Sequence, residues 1–320
     1  MLQACNNNTK ILLSSINYGN REKLAKNNII ERHISWVGKN LKGKVKTIIT
    51  KNYNLTGIDD TLNKILNYKN LDSFDIQGNE ILSINYKDKE NIENKFIMKF
   101  DEHGNDTASY FYNADGNYIS RTIFKYDKRG NEIQYNSYLP DGKPEPNASL
   151  MINKYDEKDN LIEMNHTSDD GKLIRKSTFK YDTNGYVIEG KTVDSSGKIL
   201  ISGTHKNDAN GNKLESVIDF QNGQIDKIVC KYDEKGHKIE EIIKKQDSLI
   251  TSKTVFKYDE NGNRTEAIVY YEDGTVNDEK SRYTNYEYDK TGNMIKKIKF
   301  GMINGIRTPL EITEMEIVYY

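Results

Sequence analysis

An aromatic residue followed by aspartate, with a glycine turn just beyond, returns through this chain at nearly constant spacing. No other feature constrains the fold as strongly. The pairs are Phe74-Asp75, Phe100-Asp101, Tyr126-Asp127, Tyr155-Asp156, Tyr181-Asp182, Tyr232-Asp233, Tyr258-Asp259 and Tyr288-Asp289, and Asn207-Asp208 keeps the phase without the aromatic. Successive aspartates lie 26, 26, 29, 26, 26, 25, 26 and 30 residues apart. Each unit carries two turn signals. The first reads Asp-x-x-Gly-Asn, as in Asp127 to Asn131 and Asp259 to Asn263. Aspartate there can accept backbone N–H bonds and glycine supplies positive φ, which suits a type I turn closed by a glycine bulge. The second signal is read as a shorter turn: Asp115-Gly116, Asp141-Gly142, Asp170-Gly171, Ser196-Gly197, Asn222-Gly223, Asp273-Gly274 and Asn304-Gly305.

The segments between turns alternate with a strand period. Ser177 to Tyr181 and Thr254 to Tyr258 place aromatics on every second residue, hence on one face. Lysine recurs two residues before the aspartate (Lys99, Lys125, Lys154, Lys180, Lys206, Lys231, Lys257), and glutamate seven after it (Glu163, Glu189, Glu215, Glu240, Glu266). On neighbouring strands these rows would pair across the sheet, provided they share a face. A bulge at the turn decides that parity, and the sequence leaves it open. Two strands per unit predict an all-β antiparallel hairpin array of about 18 strands, which laid flat would span roughly 85 Å. Sheets that wide curl, so a spiral or open barrel-like sheet is expected, with aromatics on the concave side and charge pairs outside. Residues 1–40 depart from the pattern and are expected to form a tether and cap, partly helical over Asn20 to Ile34; 41–320 form the array. Lys44 to Thr50 reads as the first strand, and Glu311 to Tyr320 as a terminal strand whose exposed edge could pair with a second copy.

The recurring Tyr-Asp-x-x-Gly-Asn unit resembles the RHS or YD repeat over residues 72 to about 305. The stretch Asn40 to Lys46 also resembles the lead-in of short bacterial envelope lipoproteins that carry such repeats. In large RHS toxins, the resemblance implies a strand spiral that encloses a C-terminal toxin. This array is far shorter, and no autoproteolysis segment or effector domain follows Tyr320, so the expectation moves away from a toxin.

Composition narrows the function classes. The 22 tyrosines, 9 phenylalanines and only 4 prolines are not those of a disordered chain. Lys plus Arg (47) balance Asp plus Glu (48), which leaves no electrostatic footprint for nucleic acid. The five histidines, His33, His103, His166, His205 and His237, fall at unrelated repeat positions, and no catalytic signature appears. Asp208 to Asn212 and Asp259 to Asn263 resemble half of a calcium loop but lack the later bidentate acid, so they read as turns. No metal, cofactor or catalytic residue is nominated, and a non-enzymatic protein is expected.

Leu2-Gln3-Ala4-Cys5, followed by polar Asn6 to Lys10, reads as a lipobox with lipid attached at Cys5; Cys230 reads as a buried structural thiol. The ladder Tyr126, Tyr155, Tyr181, Tyr232, Tyr258 and Tyr288 is the candidate binding surface, against the plainer reading of an aromatic stripe that stabilises the sheet. Tyr110, Tyr112, Tyr135, Tyr138, Tyr270 and Tyr271 lie off this ladder. The combined expectation is a lipid-anchored protein of the cell envelope, at the outer membrane or cell surface, that binds or scaffolds a protein or glycan. The alternative is a cytoplasmic RHS-type shell or accessory protein for a secreted toxin.

Overall fold

A computed structural model describes residues 36, 38–56, 63–145, 150–168, 170–245 and 252–320. The helix expected over Asn20 to Ile34 and the lipid site at Cys5 lie outside the described residues. Twenty antiparallel strands run from β1 (Val45–Thr56) to β20 (Ile306–Tyr319), with no helix among the described residues. Every strand pairs with the next, and β20 pairs in turn with β1 from Val45↔Tyr319 to Asn54↔Glu311. The sheet is therefore a closed barrel. Nine hairpins, eight with an Asp-x-x-Gly turn and one with Asp159 in the glycine's place, supply β2 (Asn63–Phe74) through β19 (Met294–Ile303), the 18 strands legible in the sequence; β1 and β20 flank the array and close it. The terminal strand is hydrogen-bonded on both sides, so the exposed edge expected at Glu311 to Tyr320 is absent. Closure removes the unpaired N–H and C=O row that would template self-association.

Most second turns have the same four-residue form as the first, whereas Asn304-Gly305, flanked by the pair Ile303↔Ile306, is the shorter two-residue turn expected. At the first, Gly130 N–H donates to Asp127 C=O (3.1 Å) and Asp127 N–H to Asn131 C=O (2.9 Å). At the second, as at Ser196-Gly197, Gly197 N–H donates to Asp194 C=O (3.0 Å) and Asp194 N–H to Lys198 C=O (2.9 Å), so the turn at that position is not shorter. In the first turn the aspartate side chain adds three bonds: Asp127 Oδ1 accepts from Arg129 N and Asn131 N, and Oδ2 from Asn131 Nδ2.

A register shift falls at the same step of each unit, between Lys180 and Tyr181, Lys231 and Tyr232, Lys257 and Tyr258, and their equivalents. It settles the parity question. Lys180 stands directly opposite Glu189, while Tyr181 stands opposite Val187 and Phe179 opposite Gly190. Lysine and glutamate therefore share one face, and tyrosine and phenylalanine the other. Phe179 is 4% exposed, and Ser177, Thr192, His205 and Phe256 on the same face are buried. A single-layer sheet can cover such residues only where curvature crowds side chains, so this is the concave face. The Lys–Glu face is convex; Ile162, Ile188, Leu214 and Ile239, the residues at the register shifts, are exposed.

Twenty strands at about 4.8 Å give a circumference of about 96 Å. Its apolar burial is local. Ile201 and Ile218 pack with Phe220 and Ile228; Val45, Ile48 and Phe74 pack with Trp36, Leu41 and Ile317. Stability therefore accumulates from neighbour to neighbour, as in a repeat array.

Before β1, the described residues turn in over the seam. Trp36 Nε1 donates to Val45 C=O (2.7 Å), and Lys39 Nζ bridges buried Asp72 (2.6 Å) and Glu80 (2.9 Å). Burial and the Asp72 charge raise the Glu80 carboxyl above its usual value, while Lys39 opposes them. The indole lies on Gly78, whose φ is +92°; a Cβ there would come within 2.7 Å of the ring. Gly78→Ala is therefore expected to displace Trp36, through both strained φ and contact. Because Trp36 is the single tryptophan, its emission should shift to the red and the urea midpoint should fall.

Candidate binding surfaces

The sequence-selected tyrosines occupy one rim of the barrel, at the Asp-x-x-Gly turns. There the backbone ladder between successive hairpins stops short: β9 (Leu161–Thr167) and β10 (Leu173–Tyr181) pair no closer to this rim than Thr178↔Glu163. The phenols span the remaining gap. Tyr181 Oη donates to Leu161 C=O (2.7 Å), Tyr155 to Glu132 (2.9 Å), Tyr232 to Lys213 (3.1 Å) and Tyr258 to Lys238 (2.8 Å). Tyr126 and Tyr288 donate instead to the carboxylates of Asp106 (2.5 Å) and Asp259 (2.6 Å). In the unit without the aromatic, Asn207 Nδ2 takes over the same bond, to Val187 C=O at 2.9 Å. Burial raises the Tyr181, Tyr232, Tyr258 and Tyr288 hydroxyls above the ordinary tyrosine value, which keeps these donors protonated. The hydroxyls of the whole ladder are thus committed to joining one hairpin to its neighbour. The unit at Asn207 keeps this bond without the ring, so the bond rather than the ring is common to the units.

Buried titratable groups gather on the concave face. His205 lies on β12 (Ile199–Asn207), where its Nδ1 hydrogen-bonds Ser216 Oγ at 2.9 Å; its buried Nε2 has no partner among the described residues. Arg175 Nε donates to His166 Nδ1 at 2.7 Å, which requires an unprotonated nitrogen. Burial, with the nearby cations Arg175 and Lys213, pushes both imidazoles down to about 4. Burial also brings the Lys213 amine down to about 8 and pushes the Cys230 thiol up. Cys230 is buried, as a structural thiol would be. His205 has a serine partner but no bonded carboxylate among the described residues to orient the pair for nucleophilic chemistry. No cluster of three or more metal-ligating side chains occurs among the described residues.

The convex face follows one charge rule through β8 to β17. Glu163 lies between Lys154 and Lys176 (2.7 Å to each), Glu215 between Lys206 (3.1 Å) and Lys227 (2.8 Å), and Glu240 between Lys231 and Lys253 (2.9 Å to each). Hydrogen bonds from Lys154 and Lys176 hold the Glu163 carboxyl down at about 2.

The rule lapses over β4 (Ile92–Phe100), β5 (Asp106–Asn113), β6 (Tyr118–Tyr126) and β7 (Glu132–Tyr138). Lys99 faces Ala108, and Lys125 faces Gln134. Tyrosines stand on the convex face between these lysines. Tyr112 and Tyr118 lie opposite one another with ring centres 5.7 Å apart, and Tyr110 is 6.1 Å from Tyr118. Lys95 Nζ sits 4.6 Å from the Tyr112 ring centre and Lys99 Nζ 5.1 Å from that of Tyr110. Arg121 stands opposite both Tyr110 and Tyr138, and its buried Nε has no hydrogen-bond partner among the described residues. The cations Lys95, Lys99, Arg121 and Lys125 all stand on this face of the four strands. Half-buried rings interleaved with cations form a rigid amphipathic platform. Tyr110, Tyr112 and Tyr138 were visible in the sequence as tyrosines off the ladder; their common outward face depends on the bulges.

Two outcomes follow from these geometries. Tyr181→Phe removes one bridging bond and should cost about 1 kcal/mol of stability in denaturant titration. His166 and His205 are neutral when folded but bind protons near pH 6.5 when unfolded. Their contribution is complete above about 6.5 and is lost as pH falls through about 4, where Glu163 begins to add its own loss. The thermal midpoint should therefore fall between pH 7 and 4, and fall less steeply in His205→Gln.

No protein-family model and no curated protein matches the sequence. Among solved structures, the chain is similar to the TcdB2-TccC3-TEV crystal structure, with TM-score 0.33 and 13% identity over 82% of this chain and 16% of that one. It is also similar to a porin-like protein from Bacteroides uniformis, with TM-score 0.35 and 11% identity over 87% of this chain and 98% of that one. For the Photorhabdus luminescens Tc holotoxin pore the TM-score is 0.30, at 13% identity over 78% of this chain and 16% of that one. The chain thus spans only 16% of the length of these two toxin-complex chains.

Proposed function

We propose that this protein is a non-catalytic binding and scaffolding barrel of the bacterial cell envelope, tethered by lipid on Cys5. Its partner, a protein or a glycan, binds on the convex face rather than on the ladder tyrosines. The observation that carries this reading is the local lapse of the charge rule: each hairpin from β8 to β17 pairs its repeat lysine with its repeat glutamate, whereas β4 to β7 carry tyrosines and cations that lack carboxylate partners among the described residues. The same outer charge belt argues that the barrel stands in water. Lysine on the lipid-facing surface of a membrane barrel costs about 2–4 kcal/mol at the bilayer midplane, and Lys180, Lys206 and Lys257 project from the convex face here. Attachment would then rest on the acyl chain, with residues before Trp36 as the tether.

The RHS-like resemblance supports a second reading, a shell that lodges an unfolded partner, and closure of the ring favours it. An apolar lining would suit such cargo. The concave face near the seam instead carries Asn70, Asn85 and Asn94 in one hydrogen-bonded chain, with Asn52 bonded to Thr313 and Glu311. The outer-face reading is therefore preferred.

Expression from the complete reading frame in the native host tests both parts. The chain should fractionate with membranes and carry a diacyl or triacyl adduct that Cys5→Ser abolishes; an unmodified wild-type chain in the soluble fraction would overturn the anchor. Purified barrel lacking the lipid should co-sediment with host envelopes, and Tyr112→Ala/Tyr118→Ala should reduce this while Lys180→Ala/Lys257→Ala does not. Equal binding by both variants would remove the assigned surface.

A further inference from the structure

The convex patch on β4 to β6 has a chemistry that selects among partners. We infer that it binds an anionic glycan whose sugars carry carboxylates, a polyuronate chain; this rests on the outer-face binding reading above. Three observations converge. Tyr110, Tyr112 and Tyr118 present half-buried rings on one face, with centres 5.7 to 6.1 Å apart for the contacting pairs. Such rings offer flat apolar area with little rotamer entropy to lose, which suits the C–H faces of pyranose rings.

Lys95 and Lys99 lie against two of these rings and have no carboxylate within ion-pair distance among the described residues, unlike Lys154, Lys176, Lys206, Lys227, Lys231 and Lys253. Arg121 supplies the third observation. Its Nε is buried without an acceptor, and a buried donor left unmade costs stability. A carboxylate meets that need, because the guanidinium fork binds it through paired hydrogen bonds.

The combination decides the ligand class. A neutral glycan would satisfy the rings but leave Arg121 and the two lysines unpaired. A phosphate polymer would satisfy the cations but make no use of the rings. A carboxylated sugar engages both. The strands stack at about 4.8 Å, so the platform from β4 to β6 extends about 10 Å across the sheet. That span accommodates a short run of sugars in an extended chain.

The test uses the folded barrel against polygalacturonate, dextran and polyphosphate, read by isothermal titration. Polygalacturonate should bind and weaken as salt rises from about 0.05 to 0.5 M, as screening shortens. Dextran should not bind, and polyphosphate should bind more weakly than polygalacturonate. Arg121→Gln/Lys99→Ala should weaken polygalacturonate binding by about tenfold or more, the loss of a charge-assisted hydrogen bond. Tyr112→Ala/Tyr118→Ala should weaken it too, while leaving polyphosphate binding unchanged. Trp36 emission verifies folding of each variant, and Lys180→Ala/Lys257→Ala controls for net charge outside the patch.

No polygalacturonate binding, equal binding of dextran, or polyphosphate bound as well as polygalacturonate would each overturn the inference. If the barrel still sediments with host envelopes through this face but ignores polygalacturonate, only the ligand class fails. If neither interaction occurs, the outer-face reading fails with it.

Discussion

One extra residue per unit organises this barrel. At each repeat turn the register shifts just before the position the aromatic usually holds, as between Lys180 and Tyr181, so the strand that leaves the turn is out of step with simple alternation. Without the bulge, residues such as Lys180 and Glu189 would face opposite sides of the sheet. With it, the hairpins from β8 to β17 each make a cross-strand ion pair on the convex face and keep the repeat aromatic, where present, on the concave one. Bulges also increase local twist and bend the strand, and repetition at all nine turns favours continuous curvature. The same local device thus sets both the side-chain partition and the curl that lets β20 meet β1.

The tyrosine ladder joins what the bulges curve. Strand pairing within a hairpin runs to the turn, but pairing between hairpins stops before the rim, and phenols or an asparagine close the difference. This bond needs only a donor of suitable reach, which explains why the unit at Asn207 survives loss of its aromatic. It also places the most recurrent residue type in structural service. The binding reading moves accordingly from the residues that repeat to those that break the repeat, because a position constrained in every unit by the same hydrogen bond has little freedom to specialise.

The outer platform shows what such freedom permits. Replacement of glutamate by Ala108 and Gln134 leaves Lys99 and Lys125 without carboxylate partners at the same register positions. Tyrosines then fill the pleat between them, and Lys95 and Lys99 rest against the rings. No new backbone feature is required. In a structure held together by neighbour contacts, such an arc can change with little effect on distant strands.

Much of this architecture was legible in the sequence, because turn chemistry and strand alternation are local. Aspartate and glycine at fixed offsets specified the hairpins, the spacing specified their number, and the lysine and glutamate rows announced a pairing that the register then realised. Closure was not legible: whether a curled sheet ends in free edges or meets itself depends on accumulated twist and on the match between Val45–Thr56 and Ile306–Tyr319, which lie at opposite ends of the array. Likewise, Tyr181 and Tyr112 are the same residue type in the sequence. Only the fold separates them, since a one-residue bulge decides which tyrosine meets a neighbour's carbonyl and which meets solvent beside a lysine.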